Sequence, residues 1–299
     1  MANIKGIVRN ESLQPVNGFL VRAHRLDTGA VLGEATSATV TTGDPLESMV
    51  ALRMNFDESS TDTSQYSHVV YLEDGATVAA GAGKFGGGLD CATSGANARA
   101  EVSRSANLKI GGPFCLEFFI NTASLDMEAT VVSGMQALGN DPARSVQVIA
   151  GSAGQITARV FDSVMTPAQA LAPGTWNHIA VTLDATNNAR LFLDGAAVST
   201  GAVTAPFSMV GDPVWMFGGR PSPYNRGVNG CYMDGVRVTV GDPRYPAGGF
   251  VPPEAPFLAP VTEVGAYEIV NAYTGECYVV CFDDAAAPVR NHQILRTTA

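Results

Sequence analysis

Charge is scarce in this chain, and long apolar runs are missing. Only 15% of its 299 residues are Asp, Glu, Lys or Arg, where soluble proteins average about 25%. Basic residues are the scarcer sign, 18 Lys and Arg against 28 Asp and Glu, giving a formal net charge of −10. Nucleic-acid affinity comes from Lys and Arg displacing counterions from phosphates, so nucleic acid is excluded as the expected partner. No apolar run approaches the ~18 residues a spanning helix needs, and no membrane insertion is expected. Helical periodicity is lacking as well: nothing reads as three turns of amphipathic helix, and Thr166–Leu171 offers one turn at most. The five cysteines (Cys91, Cys115, Cys231, Cys277, Cys281) form an odd set without metal-ligand spacing. The opening Met1-Ala-Asn-Ile-Lys-Gly lacks a basic stretch followed by an apolar one, so no export signal is expected. Reduced thiols in a protein made and assembled in a cytoplasm follow, with room for one late-forming bridge.

What is abundant suits β structure. Hydrophobic residues reach 46%, with 32 Gly and 17 Pro, a composition of short strands joined by turns around a sizeable core. Ile4–Arg9, Phe19–Leu26 and Val31–Thr36 are separated by the turn sequences Pro15-Val-Asn-Gly18 and Asp27-Thr-Gly29. The same texture returns in Ala266–Val270, Glu276–Phe282 and His292–Arg296. Neither face of Cys277–Phe282 is polar, which places that strand centrally in its sheet. Between these ends, Phe114, Leu116, Phe118 and Ile120 alternate onto one face, as do Ile179, Val181 and Leu183. Asp194-Gly195 is a favoured tight-turn dipeptide after Arg190–Asp194, and Val214–Gly218 and Tyr232–Val240 read as further strands. Residues 242–260 hold six of the 17 prolines. They cannot form a central strand, because proline lacks the ladder N–H, and they read as a stiff extended connector.

Catalytic chemistry finds little footing. Glycoside hydrolysis needs two carboxylates about 5–10 Å apart, on a strand two residues apart on one face. Glu117 has Cys115 and Phe119 at those positions, and the adjacent pairs Glu73/Asp74 and Asp283/Asp284 point oppositely. No Gly-x-Ser-x-Gly or His-Glu-x-x-His is present, and His24, His68, His178 and His292 have no acidic or Cys partner at ligand spacing. His178 reads as a packed or surface strand residue, and Trp176 and Trp215 as core. Gly81-Ala-Gly-Lys-Phe-Gly86 matches G-x-G-x-x-G formally, but no helix follows to hold a pyrophosphate; its glycines serve a tight bend and close sheet packing. The protein is not expected to be an enzyme.

Several segments carry a resemblance. Lys84-Phe-Gly-Gly-Gly-Leu-Asp90, Phe114-Cys-Leu-Glu-Phe-Phe-Ile120, Trp176-Asn-His-Ile-Ala-Val-Thr-Leu183, Arg190-Leu-Phe-Leu-Asp-Gly195 and Met233-Asp-Gly-Val-Arg-Val238 occur in this order. They resemble the laminin-G-like, concanavalin A-type lectin sandwich in the form common in bacteriophage virion proteins. The exit Pro243-Arg-Tyr245 with Phe250-Val-Pro-Pro253 resembles the way such phage domains end. The two chain ends resemble halves of one carboxypeptidase-regulatory, transthyretin-like sandwich, with Glu263-Val-Gly265-Ala-Tyr267 at the turn into its Tyr-rich strand. Each end has about 40 residues, near the size below which chains seldom fold alone. The expected fold is therefore all-β, a jelly-roll lectin-like sandwich (42–241) inserted into a small Ig/transthyretin-like sandwich (1–41 plus 260–299), with 242–259 as return linker. Insertions are best tolerated at hairpin tips. The arrangement requires the insert's ends to meet, with Val50–Phe56 pairing to Tyr232–Val240. The alternative is three units in a row.

The resemblance also implies sites. Related domains often carry a structural Ca²⁺ where first and last strands meet, and here Asp57 and Asp234 would share it. The alternative is a polar loop with an aspartate bonded to backbone amides. A glycan site combines an aromatic platform with hydrogen-bonding groups, and Gly218–Asn229 offers Arg220, Tyr224, Asn225, Arg226 and Asn229. The same loop suits contact with a neighbouring virion protein. The expectation is a phage virion structural protein (tail, fibre or decoration component), assembled in the host cytoplasm and homo-oligomeric. It docks to other virion proteins through the small sandwich and adheres to host-surface carbohydrate through the lectin-like domain. The alternatives are a non-adhesive cement protein and a polysaccharide-degrading tail enzyme.

Overall fold

The computed structural model describes residues 2–7, 20–25, 27–36, 38–42, 44–91, 97–122, 129–135, 145–151, 154–204, 208–219, 231–257, 261–271, 276–282 and 288–296. Its strands begin with β1 (Ala2–Ile7), β2 (Leu20–Arg25), β3 (Val31–Thr36) and β4 (Ala38–Thr42). They continue with β5 (Val50–Met54), β6 (Val70–Glu73), β7 (Thr77–Ala79), β8 (Gly88–Asp90), β9 (Arg99–Val102) and β10 (Phe114–Thr122). Then come β11 (Ala129–Met135), β12 (Val146–Ala150), β13 (Ile156–Val160), β14 (Ser163–Met165) and β15 (Asn177–Leu183). The last are β16 (Asn188–Leu193), β17 (Ala196–Ala202), β18 (Val214–Phe217), β19 (Cys231–Val240), β20 (Val261–Asn271), β21 (Glu276–Phe282) and β22 (Pro288–Arg296). Helix among the described residues is confined to two single 3-10 turns, Glu47–Met49 and Ala106–Leu108. Thr166–Leu171 forms none. No described helix is long and apolar enough to cross a membrane.

The chain divides into two compact units, Met1–Asp44 with Pro260–Ala299, and Pro45–Ala259. In the first, both chain ends contribute to the same sheets, ordered β1-β20-β4 and β22-β21-β2-β3. β1 pairs antiparallel with β20 from Ala2↔Asn271 to Ile7↔Ala266, and β2 with β21 from Leu20↔Phe282 to Arg25↔Cys277. β21 is interior to its sheet, flanked by β22 and β2, as expected of a strand apolar on both faces. Pro288 opens β22, an edge strand, the position in a sheet where proline is found. Val21 and Ala23 of β2 and Ile269 of β20 are buried.

The second unit is a sandwich of two antiparallel sheets. One is ordered β17-β16-β15-β10-β19-β8-β7, with β5 also on β19; the other is ordered β14-β13-β12-β11-β18-β9-β6. β5 and β19 pair from Val236↔Met54 to Thr239↔Val50, so the first and last strands of the unit meet. Their inner faces enclose the core: Phe114, Leu116, Phe118, Ile120, Ile179, Val181, Leu183, Val236 and Val238 meet Val132, Val148, Ala158, Val160, Trp215 and Phe217. Trp215 lies within this core, while Trp176 is only half-buried, just ahead of β15. Asp194 and Gly195 both take positive φ, +48° and +80°, the signature of the tight turn joining β16 to β17.

Central strands here are buried on both sides. Cys115, Glu117, Phe119, His178, Ala180, Thr182, Phe192 and Arg237 project from the outer face of the β10–β19 sheet, and all are buried. The cover is the proline-rich segment after β19. Tyr245 and Phe250 stack at 3.5 Å between ring centroids, and both meet Phe192; Phe250 also meets His178 edge-on at 5.5 Å. Phe250 N–H donates to Gly195 O at 2.9 Å, pinning the segment to the β16–β17 turn. Phe257 lies 3.9 Å from the Arg237 guanidinium carbon, and its carbonyl accepts from Asn55 Nδ2 at 2.9 Å. The stretch read from sequence as a return linker is thus a strap packed on the sheet. Its prolines serve because it needs no ladder N–H.

Candidate functional site

A β-bulge sorts the charged residues of β19. Leu116 faces Val238 and Glu117 faces Arg237, but the register then slips so that Phe119 faces Asp234 and Ile120 faces Met233. Gly235, at φ +54°, absorbs the extra residue. Without the slip, Asp234 would share the inward parity of Val236 and Val238. With it, Asp234 joins the outer face.

On that face Glu117 is fully buried and every near neighbour is a donor. Its Oε1 accepts from Arg237 Nε at 2.9 Å and lies 2.8 Å from Arg237 Nη2. Its Oε2 accepts from the Tyr245 hydroxyl at 2.5 Å and lies 3.3 Å from His178 Nε2. Arg244 Nε stands 3.9 Å from Oε1 and also donates to Thr239 Oγ1. Burial works to raise the Glu117 pKa, but the His178 ring, the Arg237 charge and the Tyr245 hydroxyl outweigh it and hold it at about 2. Burial and the adjacent carboxylate push the Tyr245 hydroxyl far up, so it stays a donor, and the same two causes push up the Cys115 thiol. Sequence spacing missed this cluster, because its acid and its histidine come from different strands. The signal was in the strand pairing: Phe119 opposite His178 and Glu117 opposite Arg237 put all four side chains on one face.

Asp57 and Asp234 are brought to one place, the glycine loop between β7 and β8. Asp234 is buried; its Oδ2 accepts from Phe85 N–H at 2.9 Å and its Oδ1 from Gly235 N–H at 2.6 Å. Burial, and then the charge of Asp57, raise Asp234 to about 6 against the lowering effect of those amides. The glycines make the approach possible: a Cβ on Gly87 would overlap the carbonyl oxygens of Phe56 and Asp57, and one on Gly86 would lie 2.8 Å from Asp57 Oδ1. Ca²⁺ takes six to eight oxygens. The described residues contain no group of three or more acidic, His or Cys side chains able to hold a metal, and Asp234 accepts from two backbone amides.

Arg220, Tyr224, Asn225, Arg226 and Asn229 lie outside the described residues. Among those described, the edge pair β6–β9 presents an exposed aromatic beside charged groups. Tyr71, 52% exposed, stands opposite Glu101, and Glu73 opposite Arg99. Arg99 is fixed by Asp74 at 2.5 Å and Glu101 at 3.2 Å. Carboxylates with divergent pKa values, such as Glu117 and Asp234, are what glycoside hydrolysis uses. Here neither reaches solvent, both bond to protein donors, and the aromatic strap closes over Glu117.

The second unit is thus a two-sheet antiparallel sandwich with a strap across one outer face. Residues 94–240 match the family model for the concanavalin A-like lectin/glucanases superfamily. No curated protein matches the sequence. Among solved structures, domain 4 of a Geobacillus stearothermophilus GH43 extracellular arabinanase, in complex with arabinotriose, is 13% identical with a TM-score of 0.50; the match covers 68% of this chain and 94% of that domain. The botulinum neurotoxin serotype D binding domain is 14% identical, TM-score 0.50, over 66% of this chain and 49% of that one. The binding domain of Paraclostridial mosquitocidal protein 1 is 13% identical, TM-score 0.49, over 65% and 49%. The chain spans about half the length of the two toxin binding domains it matches. At these identities the likeness concerns the fold.

Proposed function

We propose that this chain is a non-catalytic adhesion protein of a bacteriophage particle, its second unit binding host-surface carbohydrate and its first unit docking to other virion proteins. The superfamily match over 94–240 carries this reading. It is supported by the arabinanase domain, which holds arabinotriose on a sandwich of this fold, and by the sealing of Glu117 beneath Tyr245, which leaves no open carboxylate pair on that sheet face. The virion assignment rests on the resemblance of the strand motifs and of the Pro243–Pro253 exit to phage domains. Weak single sites suffice if the protein is displayed in many copies, because later contacts become effectively intramolecular. A homo-oligomer follows from that logic, and the virion reading implies assembly in the host cytoplasm.

The contact residues belong to one of two places, the 220–229 segment with Arg220, Tyr224, Asn225, Arg226 and Asn229, or the Tyr71 face of β6–β9. The full chain, immobilised at high density on a glycan array and tested on host cells, is expected to bind. Tyr224→Ala and Tyr71→Ala assign the surface by which of them abolishes the signal. Absence of binding at any density overturns adhesion and leaves a cement role; release of reducing ends from host polysaccharide overturns the non-catalytic reading.

A further inference from the structure

We infer that Cys91 and Cys231 are the two halves of a latent disulfide, a redox modification site built into the edge of the lectin-like sandwich. The ladder between β8 and β19 sets Tyr232 opposite Asp90. The next pair along is Cys231 opposite Cys91, closed by a hydrogen bond from Cys91 N–H to Cys231 O at 3.0 Å. Hydrogen-bonded opposite residues in an antiparallel ladder have Cα atoms about 5.5 Å apart, and disulfides favour roughly 5.5–6 Å.

The side chains agree with the backbone. Both thiols are buried in the same apolar core, and the neighbouring Cys91 thiol together with burial pushes the Cys231 thiol well above its ordinary pKa. Gly218 closes over the pair, since a Cβ there would lie 2.5 Å from Cys91 Sγ. Cys115 is on the opposite face of the sheet, beside Glu117, and does not compete. Neither thiol of the pair has a catalytic or ligand role in the proposed function, and the inference does not depend on carbohydrate binding.

The chemistry is thiol–disulfide exchange with a small-molecule disulfide such as oxidised glutathione. One cysteine thiolate attacks a glutathione sulfur, forming a mixed disulfide and releasing one glutathione thiolate. The second cysteine thiolate then attacks the protein sulfur of that mixed disulfide and expels the second glutathione. Two protein thiols are oxidised, one disulfide is reduced to two thiols, and the two protons pass to the released glutathiones. Burial of both thiols and the raised pKa of Cys231 make the native protein slow to react, since the thiolate is the nucleophile. The bridge therefore forms on local opening or during folding. It would fix the start of β19, immediately after the stretch that holds Arg220 to Asn229.

The full chain is refolded from urea in a glutathione redox buffer and, separately, incubated natively with oxidised glutathione, then digested without reduction and mapped by mass spectrometry. The expected product is a single Cys91–Cys231 cross-linked peptide, two hydrogens lighter than its parts. Closing so long a loop should raise the thermal midpoint of the sandwich by roughly 5–15 °C, reversed by dithiothreitol. Cys231→Ser and Cys91→Ser should each fold, bind no cross-link and show no oxidation-dependent rise. Bridging of other cysteines, mixed glutathione adducts only after refolding, or a cross-linked protein with an unchanged or lowered midpoint overturns the inference.

Discussion

Glu117 is the side chain whose removal should be felt most. Replacing it with glutamine keeps the shape but leaves the Arg237 guanidinium, 8% exposed, buried without its counter-charge. Breaking one side of a buried ion pair costs about 3–5 kcal/mol. The titration of the carboxyl gives a matching figure: lowering its pKa from 4.5 to about 2 corresponds to about 3 kcal/mol at neutral pH. Because the folded value lies below the unfolded one, the unfolded chain holds the extra proton between these pH values. The stabilisation is complete above about pH 4.5 and is lost as pH falls towards 2. Both tryptophans, Trp176 and Trp215, lie in the second unit, so fluorescence during urea unfolding reports on that unit alone. At pH 7 the Glu117→Gln midpoint should fall by roughly 1 M urea, and the gap from the parent should close as pH approaches 2. Adding Arg237→Met, which removes the stranded charge, should restore most of the loss. An unchanged midpoint at pH 7, or a gap that persists at pH 2, would refute the account of the cluster.

Gly235→Ala forces a Cβ into a left-handed conformation at φ +54° with the Phe119 ring 3.2 Å away, and should cost about 1–3 kcal/mol by the same assay. Phe250→Ala removes ring contacts to Tyr245, Phe192 and His178; a loss of about 2 kcal/mol is expected for this half-buried ring, together with faster proteolysis within 242–257. Melting in EGTA and in millimolar Ca²⁺ should give the same midpoint, because Asp234 already accepts from the Phe85 and Gly235 amides; a clear rise with Ca²⁺ would show that Asp57 and Asp234 hold an ion.

Local pattern carried much of the fold. Val31–Thr36 and Glu276–Phe282 are strands with the expected bounds, and the alternation of Phe114 to Ile120 named the core face of β10 correctly. What spacing along the chain cannot carry is a meeting of side chains across strands. Glu117 looked isolated because Arg237, His178 and Tyr245 reach it only through register and through a strap that passes back over the sheet. His68 likewise found a partner, Asp62 Oδ2 at 2.7 Å, within a loop that has no periodicity to read. Trp176 was misplaced because an aromatic just before a strand can sit at the rim as well as in the interior. The bulge at Gly235 was hidden for a related reason: Asp-Gly inside an alternating run signals irregularity but not which side chain will change sides.

The strap has a practical bearing on where this sandwich ends. A fragment cut after Val240, the close of its final ladder strand, would bare an ionised glutamate, its guanidinium partner and a ring of phenylalanines to water. The folding boundary falls instead after Phe257, and shorter pieces should be prone to aggregate however complete their sheets look on paper.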